Sequence, residues 1–208
     1  MEGQCHFILA SHSPRRKNLL KLLGFPFKVI PSGVEDSTAS TRSPSEFVEN
    51  NSLVKATAVA DKYREKWVLG ADTVVVLESD MLGKPADEEE AMKMLLQLSG
   101  KTHRVFTGVS LVNSGKGYKK TLSNVTKVAF QRFSREEALA YVGTGEPGDK
   151  AGAYGAQGAG SALIDTIEGS YTNVVGLPLS STVRMLKEAG IIEASTVRGR
   201  LYQLKDLP

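Results

Sequence analysis

The chain has few of the residues that build disulfide-rich or metal-binding proteins. Its 208 residues include one cysteine, Cys5, so no disulfide can form within the chain and no cysteine-based zinc site is expected. The three histidines, His6, His12 and His103, show no spacing typical of a metal-binding motif. A single cysteine is typical of a reducing compartment, which predicts a cytoplasmic protein.

The chain also lacks long apolar runs and a strong excess of charge. No apolar stretch approaches the roughly 20 residues that span a bilayer, so we expect no membrane partner, and we expect no secretory signal. Lysine and arginine number 26 against 23 acidic residues, which is too balanced for a dedicated nucleic-acid binder. With 41% hydrophobic residues, the composition predicts a globular chain with a substantial core.

Strand and helix patterns are mixed along the whole chain, which predicts one α/β or α+β domain over 1–192 and a polar tail over 193–208. The sequence leaves open whether this tail is ordered. The predicted strands are apolar or alternating runs at 7–10, 27–30, 67–77, 105–112, 118–130, 161–167 and 173–175, with 81–83 pairing back on 67–77 as a hairpin. The predicted helices lie at 17–23, 44–64, 87–98, 134–142 and 178–189, and 35–42 is predicted to be a loop.

Residues 11–16, of sequence SHSPRR, are the most informative segment. Ser13 is typical of a helix N-cap and Pro14 of the first helical residue. Arg15 and Arg16 then fall in the first turn, where a cation is unfavourable by roughly 0.3–1 kcal/mol. An anion bound by both arginines and the backbone N–H groups would offset this cost, so the segment predicts a phosphate site. The alternatives, a phosphorylation site or a basic surface patch, both suit a disordered segment better.

Asp72 interrupts the apolar run of the predicted strand 67–77. Burying an ionised carboxylate costs several kcal/mol unless the group is paired or binds a metal. The alternative is that Asp72 points to solvent or marks a bulge. Glu35, Lys55 and Lys84 complete a set of carboxylates and cations of the kind that holds magnesium and a polyphosphate. Taken singly, Lys55 fits a solvated helix face and Lys84 fits a turn.

Two nucleotide-binding signatures are incomplete. Residues 99–102, SGKT, lack the upstream glycine of a Walker A loop and follow a predicted helix instead of a strand. Residues 143–148, GTGEPG, match the dinucleotide fingerprint in letters, but Pro147 would break the helix that should begin there. The glycine-rich segment 149–160 is either a flexible connection or a loop whose backbone approaches a ligand closely.

Taken together, six segments resemble the Maf family of nucleoside triphosphate pyrophosphatases. They are SHSPRR at 11–16, GADT at 70–73, GKP at 83–85, LSG at 98–100, DKAGAYG at 149–155 and VGLP at 175–178. Their order and spacing are those of the family, so the combined match is specific, unlike any single segment. The resemblance implies an α/β fold with a mixed sheet flanked by helices and two lobes around a central cleft, similar to inosine-triphosphate pyrophosphatases.

The resemblance also implies an activity and roles for matching residues. The activity is hydrolysis of a nucleoside triphosphate to the monophosphate and pyrophosphate with a divalent cation, Mg²⁺ or Mn²⁺. Asp72 would be the acid/base residue and a metal ligand, and Glu35 a second metal ligand in a loop whose length varies in the family. The implied phosphate contacts are Ser11, Arg16, Lys55 and Lys84.

One branch of the family resembles dTTP/UTP pyrophosphatases, and another prefers 7-methylguanosine triphosphate. This chain has Arg15, Thr73 and Gln157 at the discriminating positions, which is the pattern of the first branch. The carboxamide of Gln157 offers a donor and an acceptor for O4 and N3–H of uracil or thymine. We therefore predict a pyrophosphatase for dTTP, UTP and modified pyrimidine nucleotides, in keeping with a house-cleaning role, and the resemblance is consistent with a homodimer. The alternative is a non-catalytic nucleotide- or nucleic-acid-binding regulator.

Overall fold

The structure is a computed structural model that describes residues 6–34, 43–196 and 198–205. The strands are β1 (Phe7–Leu9), β2 (Lys28–Val29), β3 (Trp67–Leu77), β4 (Asp80–Leu82), β5 (Thr102–Asn113), β6 (Tyr118–Phe130), β7 (Ile164–Glu168), β8 (Ile192–Ala194) and β9 (Tyr202–Leu204). The α-helices are α1 (Pro14–Lys21), α2 (Pro44–Ala60), α3 (Glu88–Leu98), α4 (Arg135–Val142), α5 (Tyr171–Val175) and α6 (Leu179–Glu188). None of the helices in the described ranges is long and apolar enough to cross a membrane.

Within the described residues, seven strands form one mixed sheet in the order β2-β1-β3-β5-β6-β7, and β4 pairs with β3 off this path. The short strand β1 pairs in parallel with both β2 and β3. The pairs β3–β4 and β6–β7 are antiparallel. The predicted mixed sheet flanked by helices is confirmed, and so is the hairpin that β4 makes with β3.

The chain divides into two compact units. The first takes its described residues from Met1–Asp72, Gly108–Asn124 and Gly176–Pro208. The second consists of Thr73–Thr107 and Val125–Val175. The long strands β3, β5 and β6 each contribute residues to both units.

Each unit has its own apolar core. In the first, Ile8, Val68 and Val112 pack with Ala56 and Val59 of α2. In the second, α3 contributes four buried residues at positions i, i+3, i+4 and i+7 of one face, which are Ala91, Met94, Leu95 and Leu98. This amphipathic pattern fixes the side of α3 that faces the core.

The prediction of a strand at 173–175 is wrong, because this segment belongs to α5. Ser170 begins the helical turn: its backbone oxygen accepts hydrogen bonds from the N–H groups of Asn173 and Val174 at 3.1 and 3.3 Å. The Ser170 hydroxyl also accepts from the Asn173 N–H at 3.2 Å. This local capping outweighs the strand preference of the adjacent valines.

The tail after residue 192 contains secondary structure in its described part. Strands β8 and β9 pair with each other in antiparallel fashion. The backbone N–H of Tyr202 donates to the carbonyl of Leu23 at 2.9 Å, and that of Lys205 donates to the carbonyl of Ile191 at 2.8 Å. These bonds connect the tail to other segments of the first unit, and the boundary between a domain 1–192 and a tail 193–208 stays a prediction.

His103 is a buried titratable group in the second unit. Its side chain is 1% exposed, its ring lies edge-on against the rings of Phe130 and Tyr154, and its Nε2 lies 2.8 Å from the Tyr154 hydroxyl. Burial lowers the pKa of His103 from 6.5 to about 4. The folded protein therefore takes up this proton only at a lower pH than the unfolded chain does.

We expect His103 to make stability depend on pH between 6.5 and about 4. In this window the unfolded chain binds more protons, so the contribution of His103 is complete above the window and is lost as the pH falls through it. The loss is about 3 kcal/mol of unfolding free energy. Urea unfolding measured across this range should therefore show a smaller pH dependence in His103→Phe, and an equally steep dependence in the variant would contradict the assignment.

Candidate active site

Asp72 is buried near the middle of β3 and is held by two side chains of α2. It is 5% exposed. Its Oδ1 accepts a hydrogen bond from Lys55 Nζ at 2.6 Å, and its Oδ2 accepts one from Asn51 Nδ2 at 3.1 Å. An ion pair and an amide donor thus compensate the burial of the carboxylate. The alternative of a solvent-facing Asp72 is excluded.

Glycines allow α2 to lie close enough to the sheet for these contacts. A Cβ on Gly70 of β3 would come within 2.4 Å of the Ser52 carbonyl oxygen. A Cβ on Gly108 of β5 would come within 2.2 Å of the Val48 carbonyl oxygen. Both distances are too short for any side chain. Asn51 and Lys55 are four residues apart and therefore lie on one face of α2. The close contact of α2 with the sheet brings both side chains within hydrogen-bonding distance of Asp72.

The segment between β1 and α1 forms the predicted helix start. Ser13 is the N-cap of α1, its Oγ accepting from the Arg16 N–H at 3.4 Å, and Pro14 is the first helical residue. The Oγ of buried Ser11 accepts from the Ser13 N–H at 3.2 Å and from Arg16 Nη1 at 3.4 Å. Arg16 Nε donates to the carbonyl of Gly176 at 2.8 Å. The predictions of a cap at Ser13, of Pro14 as the first helical residue and of Arg15 and Arg16 in the first turn are confirmed.

Because β1 and β3 pair in parallel, Ser11 lies beside the part of β3 that contains Asp72. Leu9 is in register with Leu69, and the Ala10 N–H donates to the Leu69 carbonyl at 2.8 Å, so the ladder continues past the end of β1. Two residues beyond this pair, the β1 segment reaches Ser11 and β3 reaches Ala71, the residue before Asp72. The SHSPRR segment and Asp72 therefore lie within one unit on adjacent backbone segments.

Three predicted site residues belong to the second unit. The Thr73 hydroxyl lies 2.9 Å from that of Thr107, which donates to the Asn173 carbonyl at 3.0 Å. Because Thr107 has one proton to give, Thr73 must be the donor of their shared bond. Lys84, in the turn after β4, and Gln157, in the glycine-rich loop, are both exposed.

The proposed metal ligands are only partly within the described residues. Glu35 lies outside them. Within them, no cluster of three or more histidine, cysteine, aspartate or glutamate side chains could hold a metal by itself. Mg²⁺, however, is commonly bound by one or two carboxylates together with substrate phosphates. A carboxylate has about four acceptor positions, and the bonds from Lys55 and Asn51 use two of those of Asp72, so Asp72 fits such a role.

Asn51 is the site residue that the sequence interpretation missed. It is 3% exposed and donates to the carboxylate of Asp72. The one signal in the sequence is its position, four residues before Lys55 in a predicted helix. That signal has little value without the close contact between α2 and β3, which the sequence does not reveal.

Two solved structures are similar to this chain in fold. A Ham1 protein from Staphylococcus aureus superposes with a TM-score of 0.50 at 14% identity, covering 88% of this chain and 96% of that chain. A HAM1 protein from Coxiella burnetii gives a TM-score of 0.51 at 18% identity and covers 88% and 99%. At these identities the likeness concerns the fold, a mixed α/β sheet protein as predicted.

Sequence comparison identifies the family. A protein from Bacillus cereus strain AH820 named dTTP/UTP pyrophosphatase is 50% identical over 184 residues, which are 88% of this chain and 95% of that protein. One of the same name from strain ATCC 10987 is 48% identical over 190 residues, 91% and 93% of the two chains. The family described as Maf-like protein matches residues 6–189. The chain therefore belongs to the Maf family.

Proposed function

We propose that this chain is a nucleoside triphosphate pyrophosphatase that converts dTTP and UTP to the monophosphate and pyrophosphate. Relatives with about half of their residues identical, along almost their whole length, carry the name dTTP/UTP pyrophosphatase. The structural observation that carries the proposal is the buried carboxylate of Asp72, paired with Lys55 in the unit that also contains Ser11 and Arg16. The relatives give no support to the alternative of a non-catalytic regulator.

In the proposed mechanism Asp72 orients a water molecule and accepts its proton. The water oxygen forms a bond to the α-phosphorus while the bond from this phosphorus to the bridging oxygen of the β-phosphate breaks in line. Pyrophosphate leaves with that bond's electron pair. The charge of Lys55 and the Asn51 amide hold the carboxylate in one orientation. Catalysis is then mostly positioning and electrostatic stabilisation.

The proposed cation is Mg²⁺ or Mn²⁺, held by Asp72, by Glu35 and by the substrate phosphates. When bound, it would neutralise charge on the triphosphate. The chain's own cations proposed to contact the phosphates are Arg16, Lys55 and Lys84. The exposed carboxamide of Gln157 is proposed to bind the pyrimidine edge, with Thr73 and Arg15 as further substrate contacts. We also predict a cytoplasmic location, a homodimer and a role in clearing modified pyrimidine nucleotides.

A substrate panel tests the proposal. Pyrophosphate and orthophosphate release would be measured with dTTP, UTP, dCTP, CTP, ATP, GTP and 7-methylguanosine triphosphate, with and without Mg²⁺ or Mn²⁺. We expect metal-dependent pyrophosphate release that is fastest with dTTP and UTP. Release of orthophosphate with a nucleoside diphosphate would contradict attack at the α-phosphorus, and a preference for the methylated purine would contradict the base assignment.

Arg16→Lys should weaken substrate binding more than it changes the fold. The guanidinium plane is fixed by the bonds from Nε to the Gly176 carbonyl and from Nη1 to Ser11 Oγ, and a lysine ammonium cannot reproduce this planar fork. We expect kcat/KM for dTTP to fall by about 10²-fold, mainly through KM. Lys17→Gln, at an exposed position of the same helix, is the matched control and should retain wild-type kinetics. Wild-type KM in Arg16→Lys would remove Arg16 from the phosphate contacts.

A further inference from the structure

The loop that carries Gln157 is anchored by one carboxylate. This Gln157 loop consists of residues 155–160. Glu146 accepts a hydrogen bond from the Ala159 N–H on its Oε2 at 2.9 Å and one from the Gly160 N–H on its Oε1 at 3.2 Å. Hydrogen bonds from backbone N–H groups to an ionised carboxylate are stronger than those between neutral groups. The C-terminal end of the loop is thereby fixed to Glu146.

The N-terminal end of the Gln157 loop is fixed to the same carboxylate through a tyrosine. The Gly155 N–H donates to the buried Tyr141 hydroxyl at 3.0 Å, and this hydroxyl donates to Glu146 Oε1 at 2.9 Å. Both ends of the loop are thus bound to Glu146, directly or through one hydroxyl. The exposed Gln157 side chain lies between these two attachments.

Glycines let the loop backbone close over this carboxylate. A Cβ on Gly155 would come within 2.8 Å of Glu146 Oε1, and one on Gly158 within 2.7 Å of its Oε2. Gly158 also has φ +93°, a conformation that other residues rarely adopt. A Cβ on Gly160 would lie 2.5 Å from the Tyr141 hydroxyl oxygen. The composition of the loop is therefore matched to Glu146 and is not that of an unspecific flexible connection.

The backbone of Glu146 is itself tied down. The ammonium of Lys150, which is 9% exposed, donates to the Glu146 carbonyl oxygen and to Asp149 Oδ1, the latter at 2.7 Å. The Glu146 N–H donates to Thr144 Oγ1 at 3.2 Å. Because the backbone of Glu146 is restrained, its carboxylate can hold the Gln157 loop in one position.

We infer that Glu146 is a positioning residue for base selectivity. It holds the Gln157 loop so that the Gln157 carboxamide meets the pyrimidine edge in one orientation. This rests on the proposed function. Glu146 would act through Gln157 and not on the reacting phosphates, since its carboxylate oxygens accept hydrogen bonds from the Tyr141 hydroxyl and from the loop N–H groups of Ala159 and Gly160. Loss of the anchor should therefore weaken a contact made equally to bound substrate and transition state, which raises KM and leaves kcat largely unchanged.

The test is a double-mutant cycle on base selectivity. Glu146→Gln keeps the size of the side chain but leaves one acceptor oxygen for three donors. We expect KM for dTTP to rise by about tenfold with kcat within about threefold of wild type, and the preference for dTTP over dCTP to fall by about tenfold. Gln157→Ala should cause a similar loss, and the double variant should lose little more than either single variant. Retained selectivity in Glu146→Gln, or additive losses, would overturn the inference.

A readout without substrate separates this inference from the proposed function. Amide hydrogen exchange at Ala159 and Gly160 should accelerate in Glu146→Gln, because their N–H groups lose the carboxylate, and unchanged protection would overturn the anchoring itself. Tyr141→Phe removes one attachment and carries the same kinetic test if Glu146→Gln does not fold. Glu168→Gln, at an exposed carboxylate of the same unit, is the matched control with wild-type selectivity expected. If the wild-type protein releases no pyrophosphate from any triphosphate, the proposed function fails, whatever the exchange data show.

Discussion

Asp72→Asn should lower kcat for dTTP by about 10³-fold, because the amide cannot accept the proton of the attacking water. The substitution keeps the size of the side chain, and the amide oxygen can still accept a hydrogen bond from Lys55 or Asn51. We therefore expect the variant to fold and to bind substrate. The measurement is steady-state pyrophosphate release at saturating dTTP with Mg²⁺ present.

The control for this prediction is Asp80→Asn. Asp80 is an exposed carboxylate in β4, and its replacement should leave kcat within about twofold of wild type. Circular dichroism and urea unfolding of both variants separate a lost fold from a lost proton acceptor. Near-normal turnover in folded Asp72→Asn would remove Asp72 from the role of base.

Lys55→Met should reduce both stability and activity. The carboxylate of Asp72 would then be buried, its side chain 7% exposed, without the ammonium that now lies 2.6 Å away. Removing one partner of a buried ion pair costs about 3–5 kcal/mol, much of it from the charge left unpaired. We expect urea unfolding to show a loss of about 3 kcal/mol and kcat to fall by at least about 10²-fold.

The double variant Lys55→Met with Asp72→Asn makes this prediction specific. If the penalty of Lys55→Met arises from the unpaired carboxylate, removing that charge as well should restore a large part of the stability without restoring activity. Losses of stability that simply add in the double variant would mean that Lys55 stabilises α2 through its packing instead. Lys62→Met, an exposed lysine just after α2, is the matched control.

The elements that could be predicted from the sequence are those set by short-range interactions. The helix predicted over 134–142 is confirmed as α4, which begins at a capping box of Ser134 and Glu137, and the Ser13 cap of α1 is confirmed as well. Strand β3, which contains Asp72, could also be predicted from its apolar run alone. In the segment 173–175 the letters favour a strand, and the helix there depends on capping by Ser170 together with burial of Asn173.

The residues proposed to contact substrate or metal could be predicted from the sequence, whereas the residues that position them could not. Asp72 stands out because an acid in an apolar strand needs a partner, and the partner, Lys55, was among the residues named. Asn51 and Glu146 do not stand out, because their roles depend on which backbone lies against them. Gly70 next to α2 and Gly158 over Glu146 create those approaches. Such long-range contacts leave no periodic pattern in the sequence.

Hydrolysis of dTTP in ¹⁸O-labelled water, with mass spectrometry of both products, tests the central claim most directly. If Asp72 directs water to the α-phosphorus, one ¹⁸O atom appears in dTMP and none in pyrophosphate, and Asp72→Asn slows the appearance of labelled dTMP. Label in pyrophosphate would place the attack at the β-phosphorus and contradict the account.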